Sequence, residues 1–398
     1  MASSARGPGL PPFDAEEHAD RLARVRRRMA EREIDVLYVT SPPNLAWLCG
    51  YEASWYPPRL PLGLVVERSA PTTVLFDWTR HEEYARRTAR ADELVLFDYG
   101  DAVDVVVTAA RGRGWTDGTV GLEPAGLNPS AAVMTALTDG LAAAGATVVD
   151  GDWLVDGARA VKSPAEVERL RAAGAMVDAA FVELQRRLRP GLTELQVSAL
   201  LTTLLADAGS EIAAQPVLVS SGPTAWLDIH AFPSRRVLEE GDLVSVDGCG
   251  VVDRYHANLA RTFAIGDADP RAGAMLDAAA GALDELRRVA RPSEHPDAAM
   301  AAADAWVRDR LPPEQVWWVG GYALGVCLPP SWVGHAYLAG DGPERILLDP
   351  GYASNFETVL VHPDAGFEVC CIDTVVMTEN GLEALSAVPR ALLPAGGG

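Results

Sequence analysis

Much of what would commit a chain of 398 residues to a familiar chemistry is missing from this one. Its 36 glycines form no GxGxxG or Walker phrase leading into a helix, so no nucleotide cradle is in view. No Ser or Cys stands in a nucleophile-elbow phrase. No apolar run approaches the roughly 20 residues a membrane span needs, and the opening MASSARGPGLPPFD carries no apolar stretch of the secretory kind. Cysteine is scarce. Cys49, Cys249, Cys327, Cys370 and Cys371 form no CxxC and are odd in number, which fits reduced thiols in the cytoplasm. Positive charge is short too: 34 Lys and Arg against 55 Asp and Glu leave a net charge of −21, which argues against nucleic acid and anionic membranes as partners. The same charge also serves solubility. With no cofactor phrase present, none is expected.

What is present is a soluble composition, 48% hydrophobic and 22% charged, long enough for two domains. The first part alternates helical and strand patterns. Leu22, Val25 and Met29 recur at helical spacing within Ala15–Arg32, a strand follows over Asp35–Thr40, and Leu62–Glu67 with Thr72–Phe76 reads as a hairpin. Further pairs run to Thr147–Val149. A boundary falls near Gly157–Lys162, after which Ser163-Pro164-Ala165-Glu166 forms a capping box with proline at the first helical position. Thr193-x-x-Gln196 opens a second helix that stops at Gly209. Strands then dominate at Val217–Ser220, Leu243–Asp247 and Tyr255–Ala264, before two Ala-rich helices from Pro270 and Pro296 and closing strands near Ala353–Val359 and Asp373–Thr378. Helices beside antiparallel strands predict an α+β second domain. The expected division is a disordered tail over 1–12, an α/β domain over 13–158, an α+β domain over 159–390 and a flexible tail over 391–398.

Alternation places Ser245 and Asp247 on one strand face, opposite Val244 and Val246. His256, Asn258, Ala260 and Thr262 share a face of the next strand. A carboxylate beside an amide and an imidazole makes a polar floor. Cys370 and Cys371 point to opposite faces and read as two structural thiols.

Several phrases together resemble the creatinase, aminopeptidase P and prolidase (M24-type) family. They are TSPPNLAWLCGY (Thr40–Tyr51), read as a strand and loop before the hairpin; LDIHAFPSRRVLEEGDLVSVDGCG; RYHANLARTF, standing where metal peptidases carry DxTRTF; and DTVVMTENGLEALS. The resemblance implies a pita-bread C-terminal domain behind a creatinase-like N-terminal α/β domain. It also implies where a dinuclear metal site would lie: Asp247 takes the first aspartate's place, but Asn258 the second's, Tyr322 the histidine's, Glu357 the first glutamate's and Ile372 the last's. Two carboxylates, an amide, a phenol and an isoleucine do not make a two-metal ligand set.

The resemblance therefore points to the family's metal-independent branch, which hydrolyses C–N bonds of amidine- or guanidine-like substrates. His230 matches its general base and acid, a role suited to an imidazole that titrates near neutrality. Glu357 matches the glutamate that holds a cationic substrate, and a carboxylate can accept two hydrogen bonds from a planar amidinium. Tyr56 and Arg59 fall where creatinases send an aromatic and an arginine into the neighbouring subunit's pocket, which implies a homodimer and a carboxylate on the substrate. Ala260 stands where creatinases have a glutamate beside the RT arginine, and His335 near a second substrate-binding arginine. RYHxxLART and GYxxGxxxPPxW turn the likeness toward the ectoine-hydrolase branch, whose substrate is a cyclic amidine bearing a carboxylate. Asp247, Asn258, Tyr322, His256, His335 and Glu368 complete the candidate binding set. For Tyr322 the alternative is space filling, for His256 a hydrogen-bonded core role, and for Glu368 a loop cap. The Trp317-Trp318 pair reads as core or interface. A lyase, dehydratase or cyclase using the same metal-free pocket, an inactive binding protein and, last, a metal-dependent Xaa-Pro peptidase stay open beside the hydrolase.

Overall fold

A computed structural model describes residues 13–227, 230–334 and 346–396, and divides the chain into two units at Arg159/Ala160. In the first unit, α1 (Ala15–Glu31), β1 (Val36–Val39), α2 (Pro42–Cys49), β2 (Gly63–Glu67), β3 (Thr73–Trp78), α3 (Glu82–Thr88), β4 (Glu93–Phe97), α4 (Ala102–Gly112), β5 (Thr119–Leu122), α5 (Ala131–Ala143) and β6 (Thr147–Asp150) follow in order, and α6 (Leu154–Ala160) reaches the boundary. Its six-stranded sheet runs β4-β3-β2-β1-β5-β6, with the predicted β2–β3 hairpin antiparallel and the outer pairs parallel. Tyr38, Phe76, Trp115 and Leu137 are among its buried core.

The segment Pro42–Cys49, read as loop, is helical instead. Its two prolines occupy the first turn, where no backbone N–H is needed. The buried Glu123 carboxylate accepts from the N–H groups of Thr40 and Ser41 and from the Asn44 amide, a long-range cap with no local sequence mark.

The second unit contains α7 (Pro164–Arg187), α8 (Glu194–Asp207), β7 (Leu218–Ser221), β8 (Leu243–Val252), β9 (Tyr255–Ala264), α9 (Arg271–Val289), α10 (Asp297–Arg308), β10 (Val316–Gly320), β11 (Ala353–His362), β12 (Phe367–Thr378), β13 (Gly381–Ala384) and β14 (Leu393–Pro394). Both predicted capping boxes form: the side chains of Ser163 and Thr193 accept from N3 backbone N–H groups, and Glu166 and Gln196 reach back. Gly209, at φ +92°, follows the end of α8.

The curved sheet orders as β10-β11-β12-β9-β8-β7, antiparallel throughout that path. Period-two alternation then divides its faces. Val244, Val246 and Phe263 pack with Val177, Phe181 and Leu201 of α7 and α8, while Phe356, Val369 and Val375 pack with Leu276, Leu283 and Val307 of α9 and α10. Each such burial contributes roughly 1.5–3 kcal/mol. A Cβ at Gly250 would lie 2.0 Å from the Ala173 carbonyl oxygen, so glycine is required where α7 crosses β8.

Arg261 and Asp373, both fully buried, pair at 3.0 Å, and the guanidinium also donates to the carbonyls of Ile372, Val388 and Pro389. They tie β9 to β12 behind the opposite face. The C-terminal stretch from 391, expected as a flexible tail, is corrected over its described part. Leu393 is buried beside Phe263 as β14 pairs in parallel with β9, and Ala395 donates to the Ala264 carbonyl. The tail expected over 1–12 lies outside the described residues. Among those described, no helix is long and apolar enough to cross a membrane.

Candidate active site

The sheet face left free by the helices lines a cavity of about 150 Å³. Its floor follows from strand register. Asp247 on β8 lies opposite Ala260 on β9, Ala260 opposite Ile372 on β12, and Ile372 opposite Glu357 on β11. Directly opposed residues share a face, so two carboxylates stand at the ends of a row whose middle is alanine and isoleucine. One row away lie Ser220, Ser245, Thr262 and Cys370. The buried Glu368 also lines the cavity and accepts from the Ser220 hydroxyl. On the other side of the carboxylate row, Asn258 and Asn355 flank Thr374, whose hydroxyl accepts from the Asn258 N–H at 2.7 Å and donates to its carbonyl at 2.9 Å.

Burial pushes the Asp247 carboxyl up to about 7, against the pull of a hydrogen bond from Asn258. Burial, and then the neighbouring Asp247 charge, raise Glu357 likewise to about 7, offset by hydrogen bonds from Tyr322 and Asn355. The Tyr322 hydroxyl is oriented from behind, accepting from the Trp332 indole N–H at 3.1 Å. Both carboxylates thus receive neutral donors, and the described cavity lining includes no lysine or arginine. Such a pair favours a cation that can give up N–H hydrogen bonds.

His230 lines the same cavity, exposed, with its ring edge-on to Trp317 at 5.5 Å. The structure therefore brings His230, Asp247, Tyr322, Glu357 and Glu368 around one space, with Asn258 bonded to Asp247 just beneath. It places His256 elsewhere. That ring is fully buried, its Nε2 accepts from the Ala214 N–H at 2.9 Å, and Nδ1 donates to the Arg254 carbonyl at 2.8 Å. Burial, and then the Arg254 charge, lower it to about 3, so it is a neutral core histidine rather than a cavity group. His335 lies outside the described residues. Tyr56 and Arg59 belong to the first unit. The Tyr56 hydroxyl accepts from Ala53 N–H and donates to the Tyr51 carbonyl, and Arg59 is exposed.

Two residues stand apart from the sequence reading: Asn355 was not singled out, and Trp317, read as core or interface, lies exposed beside His230. Asn355 stands two before Glu357, which on a strand means the same face, a signal that was available. Trp317 borders His230 because the register of β10 against β11 shifts between Val316 and Trp318, and no sequence pattern marks that shift.

A dinuclear metal centre does not fit these donors. Asn258 turns its NH₂ toward Asp247, Tyr322 donates to Glu357, and Ile372 offers no lone pair. Among the described residues, no three His, Cys, Asp or Glu side chains gather as a ligand set.

Known proteins resemble this chain in sequence and in fold. Residues 168–379 match the description of metallopeptidase family M24, and residues 21–161 that of the creatinase/prolidase N-terminal domain. An ectoine hydrolase of Halomonas elongata is 29% identical, across 96% of this chain and 98% of its own. A probable dipeptidase PepE of Mycobacterium tuberculosis is 30% identical, across 96% and 97%. Among solved structures, dipeptidase PepE of Mycobacterium ulcerans superposes with a TM-score of 0.81 at 25% identity, covering 96% of this chain and 99% of that one.

Proposed function

The chain belongs to metallopeptidase family M24, with a creatinase/prolidase-type N-terminal domain ahead of its pita-bread domain, and from that membership we propose that it hydrolyses a C–N bond in a small amidine, guanidino or cyclic-imine substrate bearing a carboxylate, without a metal ion. The observation that carries this reading is the cavity floor: two buried carboxylates, raised to about 7 and served, among the described residues, by neutral donors, where the family resemblance expects metal ligands. A planar amidinium laid between Asp247 and Glu357 offers both of them N–H groups and draws electrons from its central carbon. His230 takes a proton from water, the oxygen bonds to that carbon, and the same imidazole returns the proton to the departing nitrogen as the C–N bond breaks. Arg59 and the Tyr56 ring of a second copy anchor the substrate carboxylate, which makes the active unit a homodimer.

The Halomonas relative supports this reading by its name and the PepE relatives support a dipeptidase. Against the dipeptidase stands the donor set, which offers amide N–H, phenol and isoleucine where a metal pair needs ligands. The test is a thermal-shift screen of cyclic amidines, guanidino acids and lactams, followed by turnover of any hit. Hydrolysis gives products together one water heavier than the substrate; an unchanged total mass would indicate elimination or cyclisation instead. His230→Ala is expected to lower kcat by about 10²–10⁴ with an unaltered melting temperature. Wild-type turnover by the folded variant would refute the assigned base.

A further inference from the structure

Asn258 and Asn355, 1% and 0% exposed, run between the two cavity carboxylates. The Asn258 Nδ2 donates to Asp247 Oδ1 at 2.6 Å and to the Gly248 carbonyl at 3.3 Å. The Asn355 Nδ2 donates to Glu357 Oε1 at 2.6 Å and to Asn258 Oδ1 at 3.1 Å. Asn355 Oδ1 accepts from the Tyr322 backbone N–H at 2.8 Å. Both hydrogens of each amide are thus placed, and both oxygens have donors. Turning either amide over would set its oxygen against a carboxylate and its NH₂ against another donor, so the polarity of the chain is fixed.

We infer that Asn258 and Asn355 form a carboxamide bridge that sets the cation specificity of the cavity, presenting N–H hydrogens where a divalent ion would need lone pairs. A spherical ion between Asp247 and Glu357 meets amide hydrogens already seated on Asp247 Oδ1 and Glu357 Oε1, and the Asn258 amide oxygen is occupied by the Asn355 NH₂. A cation bearing N–H groups avoids that conflict, because it takes lone pairs the bridge leaves open. Asn355 acts through Glu357 and Asn258 through Asp247, so both are positioning residues. The inference rests on the proposed reading only in taking the ligand to be an amidinium-type cation.

Isothermal titration of the full-length protein with acetamidinium and, separately, with Mn²⁺ tests it. The wild type is expected to bind acetamidinium and to give no heat with Mn²⁺. Asn355→Leu, similar in size but without the amide, loses a hydrogen bond to a charged group, and its acetamidinium affinity should fall at least about tenfold. Asn258→Asp sets a third carboxylate beside Asp247 and should acquire Mn²⁺ binding that the wild type lacks. This gain of a new ion is a response that general loosening of the fold does not produce. Circular dichroism checks folding. Should Asn258→Asp not fold, Asn355→Asp, beside Glu357, carries the same expectation. Stoichiometric Mn²⁺ binding by the wild type overturns the inference, as does a folded acidic variant that ignores Mn²⁺. If the wild type ignores acetamidinium while the acidic variants gain Mn²⁺, the bridge stands and the amidine reading falls.

Discussion

Replacing Glu357 by glutamine should make the ligand-free protein more stable at high pH while removing its grip on the substrate. Glu357 ordinarily titrates near 4.5, and the fold raises it to about 7, first through burial and then through the Asp247 charge. Between those values the folded state holds more protons than the unfolded one, so stability falls as pH rises across the window. At pH 8 the charged form costs at most about 3 kcal/mol. Glutamine avoids that cost. It still accepts from Asn355 through its oxygen but offers an NH₂ where Tyr322 donates, a loss of about 1 kcal/mol. The net gain of about 2 kcal/mol corresponds to a melting temperature about 4–8 °C higher for a unit of this size. At pH 5 the folded wild type is already protonated there, so the gain vanishes or reverses. Differential scanning calorimetry at both pH values, with acetamidinium binding measured alongside, gives the result. A variant equally or less stable at pH 8, or a gain of the same size at pH 5, would show that Glu357 is not an uncompensated buried charge.

Two further outcomes follow from the same reasoning. Arg59→Ala should raise KM about tenfold or more for substrates bearing a carboxylate and leave kcat alone, with no effect on amidines lacking that group; an equal effect on both classes, read from steady-state kinetics, would remove Arg59 from the site. His256 is held neutral in the fold, lowered to about 3 against 6.5 when unfolded, so stability rises with pH between those values and is lost as pH falls. By pH 5 that loss is about 2 kcal/mol, and His256→Gln should flatten this part of the acid-unfolding curve; an unchanged curve would place the acid sensitivity elsewhere.

Local chemistry made much of the second unit legible. The capping boxes at Ser163 and Thr193 announce α7 and α8 because a reciprocal cap is written within four residues. The limits of β9 match at Tyr255–Ala264, although apolar and polar residues alternate strictly only from Tyr255 to Leu259. The same alternation put Asp247 on the cavity face, but it also grouped His256 with Asn258. A face shared along one strand does not say where the cavity ends, and His256 lies beyond it, against Ala214. What sequence did not announce was set at long range. The α2 cap comes from Glu123, the β14 pairing depends on Phe263, and Trp317 reaches His230 through a register shift. The Asn355 bridge was half-visible: its face could be read, its partner could not.

Metal content set against turnover tests the central claim most directly. Once the screen yields a substrate, protein stripped by chelator and assayed by elemental mass spectrometry should turn it over at the full rate, because the proposed mechanism assigns grip and proton transfer to Asp247, Glu357 and His230 alone. Activity that disappears with the chelator and returns with manganese would contradict the account.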